Sequence, residues 1–394
     1  MRVLLFAGKG GVGKTSIAAA TALLAAKRGY RTIVISLDSA HNLSDAFELE
    51  GGLFDVKGEP VQVTENLWVQ EINVQEEIKR HWSEVHEYIS ALFKASGVKD
   101  ILAEELAILP GMEEVSGLLY VNSYARRGEF DLIVLDCAPT GEAVRFVSLP
   151  TIFEWYMKKF FNLERKIAKI VGPFVEKLYN VPMPEDSCFD RLEELFERLE
   201  GVERLLSDAN VTSVRLVTNP EKIVVKETQR AFIYFSLYGL CVDGVIVNKV
   251  LPQEVKDEFF YQWHMLQGRY ISELEGYFSP VPVFKLPLYH HEVKGLESLE
   301  RLALDLYGEK DPTAVFRSEA PFRFSKVDGR YNLEVRMPFV GKGELELSKK
   351  GDELIITVGV FKRHVILPKS IAALNPKAAR LEGDLLKITF EGEG

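Results

Sequence analysis

The chain has 394 residues, 47% of them hydrophobic and 27% charged, with a net charge of −10. That is room for two or three domains of ordinary globular composition, and the acidic balance opposes a general grip on nucleic acid, which needs a basic face. No apolar run is long enough for a membrane span, the first residues already read as a strand with no signal peptide before it, and the 3 scattered cysteines make neither a disulfide framework nor a C-x-x-C pair, so a reducing cytoplasm is expected.

Val3-Leu4-Leu5-Phe6 predicts a first buried strand. It runs into Gly8-Lys9-Gly10-Gly11-Val12-Gly13-Lys14-Thr15, which fits G-x-x-x-x-G-K-[ST] in its expected setting of strand, loop and helix. The pattern names its ligand, a nucleoside triphosphate with Mg²⁺. Glycines let backbone N–H groups turn inward around phosphate oxygens. The helix read from Thr15 and Ser16 to about Arg28 aims its positive end at the same anion. Lys14 can reach the β- and γ-phosphates, and the Thr15 hydroxyl can bind Mg²⁺.

Residues 32–37 predict the second strand, which stops at Asp38-Ser39-Ala40-His41-Asn42-Leu43-Ser44-Asp45. Ligands of open α/β sheets bind at the carboxyl ends of strands. A carboxylate at Asp38 can therefore hold the attacking water in line with the γ-phosphate. An aspartate here also suits a turn or a helix N-cap. His41 reads as a loop or packing histidine, because no second ligand stands at zinc spacing. A helical region is expected over about 74–127.

Residues 132–135 predict a third strand, followed by Asp136-Cys137-Ala138-Pro139-Thr140-Gly141. An apolar strand ending in aspartate is a Walker B pattern, and Asp136 would hold Mg²⁺ through its water shell. Pro139, Thr140 and Gly141 would sense the γ-phosphate and move when it leaves, as a second switch beside the Ser39–His41 loop. Cys137 reads as a small buried filler. A second helical region, about 151–206, opens with Phe153, Trp155, Met157, Phe160 and Phe161. This apolar load exceeds one core-facing stripe. It fits a thick core, or an exposed groove for an apolar client.

Apolar runs at 214–218, 245–247 and 281–286 complete a mostly parallel sheet flanked by helices. The expectation is an α/β P-loop nucleotide-hydrolase domain over 1–305 with a helical subdomain. Gly308, Pro312 and Pro321 among charges mark a linker over 306–321. From 322 to 394 the apolar period becomes two, as in Leu354, Ile356, Val358 and Leu386, Ile388, Phe390, which predicts a small all-β sandwich.

These motifs together resemble the arsenite-pump and guided-entry (tail-anchored-protein-targeting) ATPases. Lys9 makes the loop similar to the deviant Walker A, K-G-G-x-G-K-[ST]. The resemblance implies that Lys9 crosses a dimer interface to the partner's phosphates, and that Lys9, Lys14 and Asp38 form the catalytic set. The family's first switch, D-P-A-H-S-L-S-D, resembles D-S-A-H-N-L-S-D from Asp38. Its second, D-T-A-P-T-G-H-T-L-R, resembles D-C-A-P-T-G-E-A-V-R from Asp136. Pro110-Gly111-Met112-Glu113-Glu114 looks like its P-G-x-x-E segment. Asn248-Lys249 looks like its adenine-contacting strand end, and Pro287-Leu288 like the segment near the base. Ser39, Asn42 and Glu142 depart from the pattern without removing phosphate or water chemistry. In the tail, Arg363-His364-Val365-Ile366-Leu367-Pro368 and the A-x-x-x-x-G-x-L fit at 378–385 resemble the α-crystallin fold of small heat-shock proteins. Such a domain can pack inertly on the ATPase, stabilise a dimer or, less readily, bind clients.

The resemblance implies a homodimeric ATPase using ATP and Mg²⁺, in the cytoplasm or a stroma-like compartment and peripheral to a membrane. Its partners would be a second copy, a hydrophobic client such as a transmembrane segment, and a membrane receptor or channel, with no nucleic acid. No zinc is expected, since residues 248–278 hold no cysteine where zinc-bridged members carry C-x-x-C. An arsenite-pump motor is the alternative; its paired thiols have no match in the spacing of Cys188 and Cys241. A partition or positioning ATPase would need a terminal amphipathic helix or a basic face. A scaffold that only binds ATP is opposed by intact Lys14, Thr15, Asp38 and Asp136.

Overall fold

The computed structural model describes residues 1–38, 42–49, 58–78, 83, 86–87, 90, 94, 112–138, 140–156, 186–327 and 330–391. Eight strands form one sheet: β1 (Arg2–Ala7), β2 (Thr32–Ser36), β3 (Val61–Thr64), β4 (Leu67–Glu71), β5 (Leu132–Asp136), β6 (Thr212–Thr218), β7 (Val242–Val250) and β8 (Val283–Pro287). Their order is β3-β4-β2-β5-β1-β6-β7-β8. The β4-β2-β5 and β1-β6-β7-β8 runs pair in parallel, and the edge strand β3 runs antiparallel to β4. β2, β5 and β6 are buried along their whole length. Strands covered on both faces need apolar side chains on both, which is why they read as continuous runs.

The chain divides into two compact units. The first takes in residues 18–205 and 294–300. It holds β2 to β5, most of α1 (Lys14–Lys27), α2 (Asn42–Phe47), α3 (Val74–Glu77), α4 (Met112–Arg127), α5 (Thr140–Tyr156), α6 (Asp186–Leu199) and most of α7 (Val202–Ser207). Ala18, Ala19, Ala20 and Ala22 of α1 are fully buried, and this run of strong helix formers lets the helix lie close to its neighbours. α4 makes a similar close approach. A Cβ on Gly117 would stand 2.5 Å from Leu37 Cδ2 and 3.3 Å from Phe146 Cε2. At the carboxyl end of β4 the buried Glu71 accepts from Ser44 N at 3.0 Å and Ser44 Oγ at 2.7 Å, which ties α2 to the sheet.

The second unit takes in residues 2–17, 206–293 and 301–394. Beside β1 and β6 to β8 it carries α8 (Lys222–Leu237), α9 (Glu258–Phe278) and most of α10 (Gly295–Tyr307). Residues 308–321 have no helix or strand, yet they are tied down. Fully buried Arg215 pairs with buried Asp243 at 3.4 Å and donates to Tyr307 Oη and to the carbonyls of Pro312 and Ala314. Arg2 donates to the Thr313 carbonyl at 3.0 Å. A buried guanidinium needs its donors satisfied, and here the connecting segment satisfies them.

The remaining strands are β9 (Phe322–Val327), β10 (Arg330–Arg336), β11 (Leu345–Lys350), β12 (Glu353–Val358), β13 (Phe361–Ile366), β14 (Asn375–Glu382) and β15 (Leu385–Glu391). They form sheets ordered β14-β15-β10-β9 and β11-β12-β13. Leu333, Val335, Ile356, Leu386, Ile388 and Phe390 fill the core between them, and Ile233 and Leu237 of α8 belong to that same core. Phe339, at φ 71°, packs edge-on to Phe232, Tyr277 and Phe278.

Candidate active site

The glycine loop belongs to the second unit. β1 ends at Ala7, and a Cβ on Gly8 would meet the Val217 carbonyl oxygen at 2.2 Å. Gly11 and Gly13 sit at φ 80° and 94°, and a Cβ on Gly13 would stand 2.4 Å from Asn248 Nδ2. Left-handed backbone and close approach both require glycine. Gly10 and Gly11 stay exposed, so their backbone faces outward from the packed chain. Lys14 opens α1, one residue before the predicted start, and is buried. Its Nζ has the Lys9 carbonyl as acceptor at a long 3.4 Å. A buried ammonium with one weak neutral acceptor is in deficit until an anion arrives. The cradle, the helix end and Lys14 thus fit a phosphate chain. Lys9, Thr15 and Ser16 are partly exposed, and Val12 is buried beneath the loop.

Asn248, at the end of β7, donates from Nδ2 to the Val12 carbonyl at 2.8 Å. It therefore braces the loop. Pro287 ends β8, and Leu288 follows it, exposed, with its N–H on the Val250 carbonyl at 2.7 Å.

The strand-end carboxylates belong to the first unit. β2 and β5 pair in register, Ser36 against Asp136, and Leu37 N donates to the Asp136 carbonyl at 2.9 Å. Asp38 thus leaves β2 beside the end of β5. One hydroxyl shapes that exit: Ser36 Oγ accepts from Asp38 N and donates to the Asp38 carbonyl, both at 3.2 Å. Asp136 is buried and Asp38 partly so. Glu113, in the first turn of α4, is pushed up to about 7 by burial and then by the charges of Glu114, Glu142 and Asp38. Thr140 opens α5, and Gly141 is exposed with open space where a Cβ would be. Cys137 is buried, as a filler should be.

Ser39, His41, Pro139, Met157, Phe160 and Phe161 lie outside the described residues, as do the side chains of Phe153 and Trp155 on α5. At three residues the structure adds a contact or an environment that the sequence reading does not assign. Lys249, next to Asn248, donates from Nζ to the Gly11 carbonyl at 2.9 Å. Glu71 anchors Ser44, and Glu113 shares the acidic surroundings of Asp38. The sequence reading takes Lys249 only as part of the Asn248-Lys249 strand end and Glu113 only as part of the P-G-x-x-E segment, while Glu71 has no place in it.

A parallel sheet with a glycine loop after its β1, a buried loop lysine and two aspartates at strand ends defines a P-loop ATPase. The chain belongs to the anion-transporting ATPase (ArsA) family, whose model matches residues 1–308, and a model for the HSP20-like domain found in ArsA matches residues 328–390. It is similar to a putative arsenical pump-driving ATPase 1 of Aquifex aeolicus, 49% identical over 98% of this chain and 99% of that protein. A putative arsenical pump-driving ATPase of Chlorobaculum tepidum is 39% identical over 100% and 96%. An ATPase get3 of Pyrenophora tritici-repentis is 28% identical over 77% and 90%. The chain is accordingly an ATP-hydrolysing enzyme. Among the described residues no helix is long and apolar enough to cross a membrane.

Proposed function

We propose that the protein works as a homodimer that couples ATP binding and hydrolysis to capture and release of an apolar client, a transmembrane segment. The observation that carries this reading is the side-by-side exit of two carboxylate-bearing strand ends, Asp38 beside β5 and its Asp136. In this reading Asp38 orients the attacking water. Lys14 and the glycine amides hold the phosphates, Lys9 reaches the partner's phosphates, and Asn248, Pro287 and Leu288 flank the base. Thr15, and Asp136 through water, would hold Mg²⁺, which would supply neutralising charge at the phosphates. Thr140 and Gly141 open α5, so a shift there passes directly into the helix that carries Phe153 and Trp155. The get3 relative supports the targeting branch of the reading. On α9, Phe259, Tyr261 and Met265 are more than 60% exposed, apolar surface of the kind a second subunit covers.

The test uses the full chain. Asp38→Asn should lose about 10²-fold or more in turnover, the weight of a positioned base, while still binding ATP. With ATP and Mg²⁺ it should run as a dimer in light scattering and co-elute with a transmembrane peptide. Wild-type turnover in the variant, or a monomer at saturating ATP, would sink the reading.

The names of the Aquifex and Chlorobaculum relatives favour a second reading, the motor of an arsenite pump. The two described thiols, Cys137 and Cys241, are both buried, and burial pushes the Cys241 thiol up to about 11. Arsenite-stimulated turnover with no peptide capture would select this reading.

A further inference from the structure

β7 carries an irregularity next to the glycine loop. Its register with β8 runs Val247 to Lys285 and then Val250 to Pro287, so three steps along one strand match two along the other. The extra residue falls at Asn248-Lys249, and Lys249 has φ 57°. A left-handed backbone suits glycine or asparagine and disfavours a lysine. Strain of this kind is retained where surrounding structure fixes it. Here the fixing bonds are visible. Lys249 N donates to Asn248 Oδ1 at 2.9 Å, while Asn248 Nδ2 donates to the Val12 carbonyl. Lys249 Nζ spans to the Gly11 carbonyl at 2.9 Å. From behind, buried Gln267 of α9 donates to the Lys249 carbonyl at 3.4 Å and accepts from Leu251 N at 2.8 Å. A Cβ on Gly11 would stand in open space.

We propose that Lys249 is a positioning residue of the nucleotide loop: its ammonium clamps the Gly11 carbonyl and holds the loop in its phosphate-receiving shape, with Gln267 setting the bulge from which it reaches. A solvated lysine gains nothing from a left-handed backbone, whereas a charge-assisted bond to a loop carbonyl compensates for it. The inference rests on the reading of the loop as the ATP site.

Full-length wild type, Lys249→Gly and Lys249→Arg are compared in three measurements. These are ATP turnover, melting temperature without nucleotide, and hydrogen exchange of the peptide spanning residues 8–15, also without nucleotide. Glycine accepts the left-handed backbone, so Lys249→Gly should fold and melt at or above wild type. Its KM for ATP should rise about tenfold, the weight of one charge-assisted hydrogen bond, with kcat little changed. Exchange over the loop should quicken, and Lys249→Arg should restore most of both. A KM within twofold of wild type overturns the proposal. So does a raised KM with unchanged exchange, because Lys249 would then contact the nucleotide directly. Absence of ATP binding in the wild type would overturn the ATP reading itself, and this clamp with it.

Discussion

Glu113 sits where two electrostatic effects oppose each other. The first turn of a helix favours an anion. Burial and the charges of Glu114, Glu142 and Asp38 disfavour it, and they win, raising the carboxyl from an ordinary 4.5 to about 7. The sign for stability follows from proton counting. Between those two values the folded chain holds a proton that the unfolded chain has lost, so stability falls as pH rises through that window and levels off above it. Glu113→Gln removes the titration. Its melting temperature, relative to wild type, should climb from pH 5 to about pH 7 and level off by pH 8. A constant difference across that range would show that Glu113 does not carry the effect. Residue spacing in the sequence located Lys14, Asp38 and Asp136, because phosphate and metal chemistry fixes which residues stand at which loop and strand ends. It was silent on Glu113 as a titrating group, because its shift comes first from burial, which spacing does not show, and then from charges that include Glu142 and Asp38, far away along the chain.

Among elements, α4 governs the exit of β2. Gly117 lets the helix press on Leu37, the residue before Asp38, and on Phe146 of α5. A valine there must displace Leu37, which is buried and has little room to yield. Overpacking of this kind costs about 1–3 kcal/mol. Gly117→Val should therefore lower the melting temperature and also cut kcat, because the displaced residue adjoins the water-orienting carboxylate. Loss of stability with full kcat would detach α4 from the site. The strands β2, β5, β6 and β7 were legible in sequence because burial on both faces writes continuous apolar runs. β3 and β4 were not singled out: β3 is an exposed or partly exposed edge, and Gln62, Thr64 and Gln70 break the apolar runs. With them went Glu71 and its hold on Ser44. The long helical region read over 74–127 emerges at its ends as α3 and α4.

At the scale of the second unit, the β-sandwich and α8 share one core. The sandwich was legible from its period of two, but its docking was not, because α8 shows the same amphipathic pattern whichever layer covers it. The structure identifies that cover. Ile233 and Leu237 lie in the sandwich core, Phe361 packs edge-on to Tyr234 at 5.2 Å, and the Arg363 guanidinium lies 4.3 Å over the Tyr238 ring. Burying an isoleucine or leucine contributes about 1.5–3 kcal/mol each, so removing the sandwich withdraws that from the ATPase portion and exposes an apolar strip on α8. A chain ending at residue 321 should melt below the full chain, bind a hydrophobic dye and aggregate. Replacing Ile233 and Leu237 by serine in that shortened chain should recover solubility without recovering the melting temperature, since the apolar strip is gone but the lost packing is not replaced. A shortened chain that stays monodisperse and melts like the full one would show that the sandwich is a passenger. The expected outcome instead makes it a structural layer of the enzyme, present whether or not it ever meets a client.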